Sequence, residues 1–166
     1  NNIYSLWLAK KQLLEDDTLL IESDLIFEDS LFELILNCED SNVALVDKYE
    51  SWMDGTMVRL DDDRNIVNFI PKKAFKYSDI DTYYKTVNIY KFSKEFAQNY
   101  YVPFLEAYQK SFGKNEYYEQ VLKVLSFLSS SVIKGFVVSG DDWYEIDDPS
   151  DLSIAEDRFS EGLEKL

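Results

Sequence analysis

Two acidic motifs stand where buried strands are predicted to end. The first is ESD at 22–24, directly after the apolar run 18–21, and the second is EID at 145–147. Ligands of open α/β sheets bind beyond the carboxyl ends of the strands, where carboxylates suit a hard cation. If both ends meet at one crevice, Asp24 and Asp147 can hold Mg²⁺ for attack on a nucleoside triphosphate. Each motif alone has a simpler explanation, because loops and helix N-termini also favour acids.

Aromatic residues adjoin acids at two other places, WMD at 52–54 and YYE at 117–119. A cationic amine binds well over aromatic faces beside a carboxylate, so both places are candidate amine sites. The alternative is that they belong to the core, because the chain has 12 Tyr, 11 Phe and 3 Trp. A phosphate-bearing substrate also needs cations, and the local basic cluster consists of Lys72, Lys73, Lys76 and Lys85.

The composition excludes several kinds of chemistry. The sequence has no His, which removes Ser-His-Asp and Cys-His catalysis and His-ligated metals. The single Cys38 permits neither an internal disulfide nor a zinc cluster, and we expect it in the core. The 17 basic and 32 acidic residues give a net charge of −15, which repels nucleic acid and anionic membranes. No apolar stretch approaches the ~20 residues of a membrane span, and the composition fits the cytoplasm.

The elements that must position these residues alternate along the chain. The predicted strands lie at 18–21, 43–46, 83–90, 132–138 and 143–147, with a hairpin across 55–70. The first predicted helix runs to about residue 14. Two others begin at caps, one at Ser30 with Glu33 in the capping box, and one at Ser93 that reaches toward 108. The last two cover 116–128 and the residues after a cap at Asp148. This order predicts one α/β domain over 1–166 with a mixed sheet. A sheet that begins with a helix lacks the preceding strand, so we expect a first βαβ unit to be missing.

Three stretches resemble the nucleotidyltransferase superfamily, namely 2–8 (NIYSLWL), 22–24 (ESD) and 143–152 (WYEIDDPSDL). They are most similar to the small bacterial cytidylyltransferases that activate phosphocholine. Two further stretches, 53–56 (MDGT) and 84–90 (YKTVNIY), resemble a sister group that acts on 2-aminoethylphosphonate and is often fused to a transaminase or mutase domain. The resemblance covers nearly the whole chain and implies a three-layer α/β/α fold with a mixed, mainly parallel sheet.

The resemblance also implies roles for individual residues. Asp24 and Asp147 take the places of the superfamily's two Mg²⁺ ligands, with Glu145 nearby, and Asn2 is expected near the cytidine or the reacting phosphate. The positions where the phosphocholine enzymes hold the trimethylammonium group are occupied by Trp52, Tyr117, Tyr118 and Glu119. The other candidates for substrate binding are Asp54, Lys85 and Asn88.

The implied reaction transfers CMP from CTP to a phosphorylated or phosphonylated amino alcohol and releases pyrophosphate, with Mg²⁺ as cofactor. The acceptor stays open between phosphocholine, phosphoethanolamine and 2-aminoethylphosphonate, and so does the nucleotide base. The alternatives are a sugar-1-phosphate nucleotidyltransferase and a non-catalytic binding domain that retains the fold. Aromatic residues between 96 and 118 are a possible homodimer interface.

The sequence departs from the superfamily at its beginning. The superfamily starts with a strand and a loop of the form Gly-x-Gly-x-Arg followed by a Lys, which together cradle the triphosphate. Nothing similar is present here. We therefore expect this chain to be an N-terminally truncated fragment of a longer protein, and to bind CTP poorly and catalyse little by itself.

Overall fold

The secondary structure is described over residues 2–129 and 132–163 in a computed structural model. The strands are β1 (Thr18–Ile21), β2 (Leu25–Phe27), β3 (Val43–Lys48), β4 (Met57–Leu60), β5 (Ile66–Ile70), β6 (Tyr84–Phe92), β7 (Lys134–Val138) and β8 (Trp143–Glu145). The α-helices are α1 (Ile3–Leu8), α2 (Lys10–Glu15), α3 (Asp29–Asn37), α4 (Lys94–Phe96), α5 (Val102–Phe112), α6 (Glu119–Leu128) and α7 (Pro149–Leu163). Short 3₁₀ segments occupy Lys72–Ala74 and Tyr77–Thr82, and a π-helical turn at Ala97–Tyr101 joins α4 to α5.

The long strand β6 organises the main sheet, whose order is β5-β4-β6-β3-β7, with β1 also pairing with β6. Strand β6 is antiparallel to β1, β3 and β4, and β4 is antiparallel to β5. Among the described strands only β3 and β7 pair in parallel. The sheet is mixed as predicted, but the prediction that it is mainly parallel is wrong. Periodicity locates strands but does not show which strands pair. The predicted hairpin is present as β4 and β5, and the antiparallel pairings of β6 make up most of the remaining sheet.

Helices cover both faces of this sheet. Alternate residues of β3 point to opposite sides, so that Val46 packs with α1 and α5 whereas Leu45 packs with α3. Both faces of β3 are therefore buried, which explains its uninterrupted apolar run. The α/β class and the three layers are confirmed. Cys38, expected in the core, is half-buried at the edge of the α3 layer and has a free thiol.

The helix ends agree with the sequence in part. The Ser93 hydroxyl accepts a hydrogen bond from the Phe96 amide at 3.2 Å, and Asp148 accepts one from the Asp151 amide at 3.1 Å, so both predicted caps are confirmed. The predicted cap at Ser30 is wrong, because α3 begins two residues earlier than that cap implies, with Glu28 in the N-cap position and no side-chain cap bond. The first predicted helix is divided at Ala9 into α1 and α2. No described helix is long and apolar enough to span a membrane.

Strand β2, which the sequence did not predict, makes a separate two-stranded sheet with β8. The register pairs Leu25 with Glu145 and Phe27 with Trp143. The indole of Trp143 is fully buried and donates a hydrogen bond to the buried Asp47 carboxylate at 2.9 Å. This bond ties β8, and with it Glu145, to the end of β3 in the main sheet.

We expect Trp143→Phe to lower the free energy of unfolding by at least about 1–3 kcal/mol, because the Asp47 carboxylate then lies buried without its indole donor. Asp47→Asn is the matched control, since it keeps an acceptor oxygen for the indole and should cost less. Urea denaturation of the two variants measures the difference. Equal losses, or no loss in Trp143→Phe, would show that this hydrogen bond does not hold β8.

Candidate active site

The pairing of β2 with β8 brings the two acidic motifs together. The Ile146 amide donates to the Asp24 carbonyl at 2.8 Å, directly beside the pairing of Leu25 with Glu145. As a result, carboxylate oxygens of Glu22, Asp24 and Glu145 all lie within 4.8 Å of one another. These three residues are called the acidic cluster below. Three carboxylates at this separation provide the hard oxygen ligands that suit Mg²⁺.

Two asparagines orient two of the three carboxylates of the acidic cluster. The Asn88 side-chain amide donates to Glu145 Oε1 at 2.9 Å, and the Asn2 side-chain amide donates to Glu22 Oε1 at 2.7 Å. Asn2 Oδ1 also accepts a hydrogen bond from the Tyr118 amide at 3.0 Å, so Asn2 links the end of β1 to the start of α6. The site carboxylates are therefore oriented by α1, β6 and the α6 region together.

Asn88 reaches Glu145 because the backbone of β6 is irregular there. Its φ of 61° lies in the left-handed region, which Asn tolerates better than most residues. The β3–β6 register shifts across this point, where Ala44 pairs with Tyr90 but Val46 pairs with Thr86. Such bulges redirect a side chain beside functional sites. Here the irregular residue supplies a hydrogen-bond donor to the acidic cluster.

Lys85 places a buried cation beside the acidic cluster. The side chain is 1% exposed, and its Nζ lies 3.2 Å from Glu145 Oε2 and donates to the Thr86 carbonyl at 2.7 Å. The backbone of Gly55 lies close to the Lys85 side chain, so that a Cβ added at Gly55 would lie 3.4 Å from Lys85 Cε. The φ of Gly55 is +94°, so glycine suits this approach conformationally as well.

Burial dominates the electrostatics of these acids. It raises the pKa of Glu145 despite the ion pair with Lys85, and it raises the pKa of Glu22, to which the charge of Asp24 adds. Burial also raises the pKa of Glu119 to about 7. Raised carboxyl pKa values mean that negative charge is under-compensated here. The folded structure therefore disfavours the ionised forms of Glu22, Glu119 and Glu145, and a cation placed beside them would stabilise those forms.

These residues line one open cleft of about 1260 Å³. The predicted site residues that line it are Asn2, Asp24, Asp54, Lys85, Asn88, Tyr117, Tyr118, Glu119, Glu145 and Asp147. Asp147 is in the wall of the cleft, but among the described residues it is not a member of the acidic cluster. Lys72 and Lys73, noted in the sequence only as part of a basic cluster, also line the cleft, and Lys72 forms an ion pair with Asp54.

Trp52 is the predicted site residue that the structure does not bring to the described cleft. Its ring stacks on Tyr144 with 5.0 Å between centroids, and its indole N–H donates to Glu50 at 2.9 Å. Glu22 stands beside Asp24 in the motif at 22–24 but is not among the predicted site residues, although it belongs to the acidic cluster. The alternation of Glu22 with Asp24 was the available signal for this membership. The sequence analysis also assigned no role to Thr56, whose backbone carbonyl accepts a hydrogen bond from the Thr86 amide of β6 at 3.3 Å.

Comparison with known proteins identifies the fold. No protein-family model matches the sequence. CMP-5'-(3-aminopropyl)phosphonate synthase of Streptomyces rubellomurinus is 26% identical over 164 residues, which is 96% of this chain but 26% of that protein. The chain thus spans about a quarter of the length of this curated relative.

Two solved structures share the architecture. The CTP:phosphocholine cytidylyltransferase of Streptococcus pneumoniae superposes with a TM-score of 0.74 and 19% identity, covering 95% of this chain and 63% of that one. The inositol-1-phosphate CTP transferase of T. maritima gives a TM-score of 0.67 and 23% identity, covering 96% of this chain and 61% of that one. The chain therefore has the nucleotidyltransferase fold, and the resemblance to that superfamily is confirmed at the level of the fold.

The pKa of Glu119 predicts how stability depends on pH. Its folded value of about 7 exceeds the ordinary 4.5, so between these pH values the folded state binds more protons than the unfolded state. The free energy of unfolding contributed by this group therefore falls as pH rises through the window. We expect Glu119→Gln, which does not titrate, to gain about 2–3 kcal/mol relative to wild type between pH 5 and pH 8.

Denaturant titrations of both proteins at several pH values measure this difference. Glu33→Gln, an exposed position on α3, serves as the control and should show no such gain. A constant difference between Glu119→Gln and wild type across pH 5–8 would contradict the burial of an under-compensated carboxyl at this position.

Proposed function

We propose that this chain forms the acceptor-binding part of a cytidylyltransferase that transfers CMP from CTP to a phosphorylated or phosphonylated amine. The observation that carries the proposal is the acidic cluster, which joins both predicted motifs in one cleft beside the buried Lys85. The named activities of the relatives support the choice of nucleotide, since all three carry a CMP or CTP designation. The 3-aminopropylphosphonate named for the curated relative supports an amine-bearing acceptor.

In this reaction an oxygen of the acceptor's phosphate or phosphonate attacks the α-phosphorus of CTP. The bond from the α-phosphorus to the bridging oxygen breaks, and pyrophosphate leaves with the electron pair. The chain needs no covalent intermediate, which agrees with the absence of His from the sequence. Its own contribution is to hold two anionic reactants in line within the cleft.

The carboxylates of the cleft fit a divalent cation, and we propose Asp24 and Asp147 as the ligands, with Glu22 and Glu145 completing the acidic surroundings. When bound there, Mg²⁺ supplies charge compensation and polarises the phosphoryl oxygens. Asn2 and Asn88 keep Glu22 and Glu145 in fixed orientations. Among the described residues, the cations that line the cleft are Lys72, Lys73 and Lys85, and Lys73 has no acidic partner among the ion pairs of those residues.

Tyrosine and acidic side chains line part of the cleft, and together they suit the amine of the acceptor. We propose that Tyr117, Tyr118 and Glu119 form this part, and that Asp54, between β3 and β4, and Lys85, on β6, adjoin it. A sugar-1-phosphate acceptor, the second enzymatic candidate, would leave the raised carboxyl pKa values of this cleft without a compensating charge. The further assignments to the whole protein, including a fused transaminase or mutase domain and a homodimer, are part of the same proposal.

We expect Asp24→Asn to reduce CTP-dependent pyrophosphate release by the full-length protein to below about a tenth of wild type. A direct metal ligand contributes several kcal/mol to the transition state, and an amide binds a hard cation far more weakly than a carboxylate does. The matched control is Asp62→Asn, at an exposed position in the β4–β5 turn. Activity above about a tenth in Asp24→Asn, with the control active, would count against the proposed role.

A further inference from the structure

Glu119 is a buried carboxyl group at the first residue of α6. The residue is 5% exposed and lines the cleft. Within the described part of the chain, its buried Oε2 has no hydrogen-bond partner. An unpartnered buried acceptor is costly and rare in native proteins. A donor that enters the cleft would remove that cost.

Burial raises the pKa of Glu119 and outweighs the charge of Lys85, which lowers it. The Lys85 ammonium is engaged by Glu145 Oε2 at 3.2 Å and by the Thr86 carbonyl at 2.7 Å. The charges of Glu22 and Glu145 further disfavour the ionised form of Glu119. Over residues 2–129 and 132–163 no ion pair includes Glu119. A ligand ammonium would therefore supply the positive charge that the ionised form of Glu119 lacks in the described structure.

We infer that Glu119 selects an acceptor whose ammonium carries N–H donors, in preference to one with a fully substituted nitrogen. This inference rests on the proposed function and names the acceptor class for the same cleft. A primary ammonium offers three N–H donors, one of which satisfies Glu119 through a charge-assisted hydrogen bond. A trimethylammonium group has no N–H and leaves the acceptor unpartnered.

The aromatic lining of the cleft supports the same choice. A quaternary ammonium is recognised mainly by several aromatic faces around it. Among the described residues, the aromatic side chains that line the cleft are those of Tyr117 and Tyr118. Tyr118 is buried and packs edge-on against Tyr90 with 5.8 Å between centroids, whereas Trp52 is stacked on Tyr144 outside the described cleft. One exposed tyrosine does not make an aromatic cage.

The experiment compares 2-aminoethylphosphonate with its N,N,N-trimethyl analogue, which differ only at the nitrogen. Pyrophosphate release with CTP and Mg²⁺ gives kcat/KM for each acceptor with the full-length wild-type protein, Glu119→Gln and the control Glu33→Gln. We expect wild type and control to prefer the primary amine by about 10- to 100-fold, the effect of one hydrogen bond to a charged group. In Glu119→Gln the ratio should fall to about threefold or less, because the amide oxygen carries no negative charge to pair with the ammonium.

Each outcome decides the inference. A wild-type ratio near one, or a preference for the trimethyl analogue, overturns it while leaving the cytidylyltransferase proposal intact. A ratio in Glu119→Gln equal to that of wild type overturns the role of this residue. If neither acceptor releases pyrophosphate from CTP with wild-type protein, the proposed function fails and this inference fails with it. Should Glu119→Gln not fold, the wild-type ratio and Glu119→Asp still test the preference.

Discussion

The antiparallel pairing of β2 with β8 is the constraint on which the candidate site depends. These two short strands lie outside the main sheet, yet they place Asp24 next to Ile146 through a 2.8 Å backbone hydrogen bond. The buried Trp143 ties this pair to Asp47 at the end of β3. Without that anchor, nothing in the sheet order would force carboxylates so far apart in the sequence to approach within 4.8 Å.

That approach has an electrostatic cost, which shapes the rest of the cleft. Glu22 and Glu145 lose hydration in the cleft and lie near other negative charges, so the pKa of each carboxyl group rises. The chain offsets part of the cost with Lys85 and with amide donors from Asn2 and Asn88. The remaining negative charge of the cleft is not compensated by the described residues. A metal ion and the ammonium group of a substrate would together compensate it. The strongly acidic composition is thus compatible with anionic reactants.

Most of the predicted site residues line one cleft, because the motifs at 22–24 and 145–147 place acids at the ends of strands. The sequence predicted the meeting of these motifs only as a condition and paired Asp24 with Asp147, whereas the structure brings Asp24 to Glu145 through the pairing of β2 with β8. The pairing of β2 could not be predicted, because three residues without alternation give no strand signal. The prediction of a mainly parallel sheet was wrong for a different reason. Tertiary packing decides which strands pair and in which direction, and the sequence pattern does not show it. Trp52 lies outside the described cleft and stacks on Tyr144, because the adjacency of an aromatic and an acidic residue in the sequence does not specify which surface they line.

The most direct test of the account is ³¹P NMR of the reaction of the full-length protein with CTP, Mg²⁺ and 2-aminoethylphosphonate. The account predicts loss of the CTP signals, appearance of pyrophosphate, and a new coupled pair from a phosphonate joined to the α-phosphorus of CMP. Unchanged CTP, or a new anhydride formed with glucose-1-phosphate but not with the aminophosphonate, would contradict it. The first result would leave a fold without this chemistry, and the second would assign the cleft to sugar phosphates.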